Sequence, residues 1–236
     1  MSLLIKIPCI LVAMVGLQIA VTPPHPPPNS DERAPSTRLE VVVKQRTGPL
    51  LVKSICWAAA AAEAAVILAT HTPSLTLSQT VLSTLVRGRG SDRIQLSPLF
   101  LFGTLLTGLG GYIRYRCYRA LGRLFTFEMS IRSDHKLVTD GPYSIVRHPG
   151  YTGILFTITG IICWHASSGS WARECGALET TIGQVAVAIY LGIVSVITTG
   201  LMSRMSKEDA ALRETFPKEW DQWATKVSYK LIPGVY

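Results

Sequence analysis

Arg147-His148-Pro149-Gly150-Tyr151-Thr152-Gly153-Ile154-Leu155-Phe156-Thr157-Ile158-Thr159-Gly160-Ile161-Ile162-Cys163-Trp164-His165-Ala166 sets the fold. A basic pair and a proline precede an apolar run that carries no acidic residue, lysine or arginine. The residue before a proline is held extended, so the helix begins at Pro149, a favoured first helical position. From Tyr151 to Ala166 the run approaches the roughly 20 mostly apolar residues that a membrane crossing needs.

Working outward, four more stretches read the same way: Leu3 to Val21, Leu50 to Thr70, Ser97 to Ile113 and Ile182 to Met202. The runs from Ser97 and from Tyr151 are short, and interfacial Tyr112, Tyr115 and Trp164 extend them. The expected fold class is therefore all-α, a polytopic integral membrane helix bundle of about five transmembrane helices. Residues 1–113 hold the first three, with a proline-rich linker at 22–49, and residues 114–236 hold the last two and a polar tail.

Composition supports the bilayer. Of 236 residues 48% are hydrophobic and only 16% charged, with mean hydropathy +0.31, against about 25% charged in an ordinary soluble domain. The formal charge of +8 raises nucleic acid as a partner. The basic residues lie between apolar stretches, however, as in loops that face anionic lipid, so membrane lipid is the expected partner and nucleic acid is not. Cys9, Cys56, Cys117, Cys163 and Cys175 have no metal-type or paired spacing and read as small core residues.

The first run has a rival reading as a cleaved signal peptide. An n-region whose only basic side chain is Lys6 and the absence of a clean small-x-small site at Ala20 favour a retained helix. The proline-rich segment from Thr22 reads as an extended spacer. Glu63 sits inside an alanine-rich span, where an ionisable group is costly. A carboxyl protonated or paired within the bundle explains it better than catalysis. Gly108, Gly110 and Gly111 suit close helix packing.

Orientation follows from basic residues. The connection from Arg114 to His148 holds Arg114, Arg116, Arg119, Arg123, Arg132, Lys136 and Arg147 against Glu128, Asp134 and Asp140, which places it on the cytosolic side. Arg87, Arg89 and Arg93 then fall on the opposite side, against the rule. Arg147 and His148 stand at the lip of the fourth span, where a positive helix end meets an anion. Leaving the fifth span, Arg204 and Glu208 are spaced i, i+4 and share one helix face.

The string Leu137-Val138-x-x-Gly141-Pro142-Tyr143-x-x-Val146-Arg147-His148-Pro149-x-Tyr151 resembles the hallmark of the isoprenylcysteine carboxyl methyltransferase family and its phospholipid methyltransferase relatives. Arg204-x-x-x-Glu208-Asp209-x-x-Leu212 and Leu231-Ile232-Pro233-Gly234 resemble the family's later motifs. Together they cover about Arg119 to Tyr236. Asp209 replaces a family glutamate, and Trp220 and Trp223 stand where tyrosines are usual.

The resemblance implies an endoplasmic reticulum enzyme that uses S-adenosyl-L-methionine to methylate the carboxylate of a prenylated cysteine. It implies a cytosolic cofactor pocket built by the connection between helices three and four and by the tail. Its cofactor residues are Glu128, His135, Lys136, Leu137, Val138, Tyr143, His148, Pro149, Gly150, Tyr151 and Glu208. Arg204 is the catalytic and substrate-binding residue, gripping the acceptor carboxylate, and no metal is expected. Displacement by an already ionised carboxylate needs no general base. The alternatives are a phospholipid N-methyltransferase, a methyltransferase for small isoprenoid acids, or an inactive membrane adaptor.

Overall fold

The computed structural model describes residues 3–25, 47–87, 90–125 and 136–236, and no strand occurs among them. The principal helices are α1 (Lys6–Val21), α2 (Thr47–His71), α3 (Thr76–Leu85), α4 (Pro98–Leu121), α5 (Pro149–Ala166), α6 (Thr181–Thr215) and α7 (Pro217–Lys226). Each expected span is a helix. Three of them, Leu3–Val21, Gly48–His71 and Thr181–Thr215, are long and apolar enough to cross a membrane. The other two, α4 and α5, are diluted by arginines at the end of α4 and by Pro149, Tyr151, Trp164 and His165 in α5.

Helix starts obey local chemistry. Ser97 caps α4 by accepting from the Phe100 N–H at 3.3 Å, and Pro98 follows. Thr180 caps α6 by accepting from Gly183 N at 2.9 Å. Pro149 opens α5 as the sequence predicts. Gly122 ends α4 at φ 51°, a backbone state that glycine reaches without strain.

The centre of the bundle is a close contact of α1, α4 and α5 through small residues. A Cβ on Gly111 would lie 2.5 Å from the Cα of Gly16, and one on Gly110 would lie 2.5 Å from the Gly153 carbonyl oxygen. Gly103 and Gly160 meet in the same way near the other end. Thr107 and Thr157 turn their hydroxyls back onto Gly103 O and Gly153 O, each at 2.8 Å, so both of these buried hydroxyls are paired within their own helices. Where lipid replaces water, such packing holds helices together. Gly153 and Gly160 serve this contact.

Glu63 is explained at the far end of the bundle. Its Oε1 lies 2.6 Å from Lys6 Nζ, with both side chains fully buried, while Oε2 accepts from Trp164 Nε1 and Trp171 N at 3.2 Å each. Lys6 also donates to Gln95 O and Gly169 O, at 3.0 and 2.6 Å. The carboxyl is paired within the bundle, and its partner is the one lysine of the first apolar run.

Two further features depart from the sequence reading. Helix α3 fills a segment where no helix is expected, packing Val81, Leu82 and Leu85 against the core. Helix α4 continues two turns past Ile113, so Arg114 is a buried helical residue at 4% exposure instead of a loop charge.

Candidate functional site

The site forms where the lip of α5 meets the last turns of α6. Gly141, at φ 61°, turns the chain into the short Gly141–Ser144 helix. The chain then turns toward Pro149, and the backbone N–H groups of Arg147 and His148 donate to Tyr229 O at 3.0 Å and Lys230 O at 2.8 Å. The tail is sealed further by Thr152 Oγ1, which donates to Leu231 O at 2.7 Å, and by Trp223 Nε1, which donates to Tyr143 O at 3.0 Å. An α-helix rises about 1.5 Å per residue, so the 35-residue α6 continues well beyond the apolar stretch that ends near Met202. That extension carries Arg204, Glu208 and Asp209 over His148.

The two motifs, distant in sequence, interlock through side chains. Glu208 Oε1 accepts from Arg204 Nε at 2.6 Å and from the Tyr151 hydroxyl at 2.8 Å, and Oε2 lies 3.5 Å from His148 Nδ1. The other ring nitrogen of His148 is 3.0 Å from Asp209 Oδ1. His148 stacks on Tyr151 with ring centroids 5.5 Å apart and planes 6° from parallel. Asp209 Oδ2 stands a looser 3.7 Å from Arg147 Nε.

These contacts set protonation. Burial works to lower the His148 pKa, but hydrogen bonds to Asp209 and Glu208 outweigh it and raise the value above 6.5. Burial alone would raise the Glu208 carboxyl, yet the Arg204 guanidinium, followed by His148 and the Tyr151 hydroxyl, holds it down at about 2. Burial, with Cys117 alongside, pushes the Tyr143 phenol well above its ordinary range. Glu208 is thus ionised at neutral pH, and Tyr143 is a neutral donor.

Lys136, Leu137, Val138, Tyr143, His148, Gly150, Tyr151, Arg204 and Glu208 all line one cavity of about 240 Å³. Pro149 is buried as the first residue of α5 and is not in that lining. Glu128 and His135 lie outside the described residues. The cavity is polar at this lip and apolar beyond it, where Leu17, Val52, Ile154, Ile158, Val194 and Leu201 come from α1, α2, α5 and α6. No group of three or more metal-ligating side chains occurs among the described residues.

Sequence reasoning missed several site residues. Asp209 registers there as a departure from a motif, yet it partners His148. Arg114 is counted as a loop charge, yet it donates to Ala20 O at 3.0 Å and Gly150 O at 3.3 Å, tying the end of α1 to the first turn of α5. Its guanidinium lies over the rings of Tyr118 and Phe125. The available signal is the spacing Arg114 to Tyr118, an i, i+4 pair that continues the helix past the hydropathy limit.

Comparison with known proteins agrees with the resemblance read from the motifs. Residues 103–168 match the model of the isoprenylcysteine carboxyl methyltransferase (ICMT) family, a segment that includes the α5 lip and stops short of Arg204. A probable protein-S-isoprenylcysteine O-methyltransferase of Oryza sativa subsp. japonica is 32% identical over 127 residues, 53% of this chain and 56% of that protein. Protein-S-isoprenylcysteine O-methyltransferase B of Arabidopsis thaliana is 30% identical over 128 residues, 53% of this chain and 55% of that protein. A Delta(14)-sterol reductase of Ascobolus immersus is 30% identical over 108 residues, 46% of this chain and 21% of that protein. The chain spans about half the length of the curated methyltransferases it matches. No solved structure matches it.

Proposed function

We propose that this chain is an S-adenosyl-L-methionine-dependent carboxyl O-methyltransferase acting on the C-terminal carboxylate of a prenylated cysteine, in the endoplasmic reticulum membrane with its site facing the cytosol. The observation that carries the reading is the joining of the two motifs, Tyr151 and His148 to Glu208 and Asp209, at the polar lip of a cavity that continues into an apolar interior. An acceptor with a charged head and a hydrocarbon tail fits that division.

The donor set suits the cofactor. Lys136, Leu137, Val138, Tyr143, Gly150 and Tyr151 line the lip, His148 stands with them, and the ionised Glu208 supplies a carboxylate for a hydroxyl or ammonium. When bound, S-adenosyl-L-methionine supplies an activated methyl group on a sulfonium. The chain's own residues then align and dehydrate the reactants. Arg204 orients a carboxylate through its planar fork, while Trp223 and the tail at Leu231 close the lip against water. No proton has to be removed from a carboxylate acceptor, so the site works by positioning.

The test is methylation of a farnesylcysteine derivative by Arg204→Lys and Glu208→Ala. Both variants are expected to lose turnover while remaining folded in detergent. Wild-type turnover in both would overturn the assignment of these residues.

A further inference from the structure

We infer that Arg147 is a second guanidinium that binds a ligand carboxylate in the cavity, beside Arg204. The inference rests on the methyl-transfer reading and assigns a residue outside the cofactor and acceptor set that the resemblance implies.

Arg147 and Arg204 face the same cavity, but they are held differently. Arg204 meets its acid at 2.6 Å. Arg147 stands 3.7 Å from Asp209, whose other oxygen is occupied by His148 at 3.0 Å. The Nε of Arg147 is buried and has no hydrogen-bond partner. Its guanidinium lies 5.8 Å over the Trp220 ring, whose own Nε1 is also buried without a partner. Two adjacent buried donors without acceptors call for an acceptor, because a buried N–H that has given up its water and gained no partner is destabilising.

The charge of the cavity has the same sense. Arg114, Lys136, Arg147 and Arg204 line it against only Glu208 and Asp209. A carboxylate entering there meets an excess of positive charge, and the planar Arg147 fork, loosely held by Asp209, can bind both its oxygens. Two carboxylates have access to this lip in a methyl transfer: that of the acceptor and that of the cofactor's methionyl arm. The shared chemistry is the same for both.

The experiment compares ligand pairs that differ only at the carboxylate, using purified full-length protein in detergent. One pair is S-adenosylhomocysteine and its decarboxylated analogue. The other is N-acetyl-S-farnesylcysteine and its methyl ester. Arg147→Lys is expected to reduce the preference for the carboxylate-bearing member of one pair by about tenfold, with affinity for the carboxylate-free member unchanged. The affected pair identifies the source. Asp209→Asn, which releases Arg147 from its acid, is expected to widen the same preference, and it carries the test if Arg147→Lys does not fold. Loss of both members alike, or preferences unchanged in the variants, overturns the inference. Wild-type protein that binds neither nucleoside overturns the methyl-transfer reading as well.

Discussion

Tyr151 donates its hydroxyl to Glu208 at 2.8 Å, across 57 positions of sequence. This bond couples the first turn of α5 to the polar end of α6. Because the same carboxylate oxygen receives Arg204, and its other oxygen faces His148, a single glutamate organises three residues of the lip.

Removing that glutamate is therefore costly. Glu208→Ala takes one acid away from both Arg204 and His148, and truncating one partner of a buried ion pair costs about 3–5 kcal/mol. Tyr151→Phe deletes one hydrogen bond to a charged group, worth about 1.5–3 kcal/mol. Calorimetry with S-adenosylhomocysteine is expected to rank wild type above Tyr151→Phe, and Tyr151→Phe above Glu208→Ala.

Stability in detergent should depend on pH through His148. Its folded pKa is raised above 6.5, so its contribution is complete below about 6.5 and is lost as pH rises through the folded value. Glu208 has a depressed pKa, so its contribution is lost only on acidification toward about 2 and adds no slope near neutrality. Melting curves across neutral pH should show wild type losing stability on the alkaline side. Asp209→Asn should show a shallower loss, and equal slopes would contradict the account.

At the far end, Lys6 and Glu63 behave as a unit. Lys6→Met leaves a buried carboxylate without its cation, at about 3–5 kcal/mol. Lys6→Met combined with Glu63→Gln keeps an acceptor for Trp164 and Trp171 and removes the stranded charge. The double variant is expected to melt above the Lys6→Met single variant. A double variant that melts at or below it would remove the pairing as a source of stability.

The glycine contacts give a packing test. Gly110→Ala places a methyl against the Gly153 carbonyl, and Gly160→Ala places one against Gly103 O. Overpacking of this kind costs about 1–3 kcal/mol. Gly192 on α6 has open space around the added Cβ. Gly192→Ala is expected to be neutral or stabilising in thermal melts, while the other two variants melt lower.

Legibility in the sequence followed the range of the interactions. Apolar runs gave the helices, since span length and hydropathy are local, and the residue pair His148 and Pro149 gave the start of α5 to the residue. The expected site residues from Lys136 to Tyr151, with Arg204 and Glu208, sit in short windows of type and spacing; of those site residues Pro149 alone does not line the cavity. Arg114 was not legible, because an arginine ends a hydropathy window whether it faces water or a buried carbonyl. The Lys6 to Glu63 pair and the His148 to Asp209 pair join distant positions, and no periodicity encodes such partners.

The most direct measurement of the central claim is the base stability of the product. Purified protein is incubated with methyl-labelled S-adenosyl-L-methionine and, separately, farnesylcysteine, phosphatidylethanolamine or a free isoprenoid acid. The account predicts label on farnesylcysteine that mild base releases as methanol, the behaviour of a methyl ester. Base-stable label confined to phosphatidylethanolamine, or no transfer to farnesylcysteine, would contradict it.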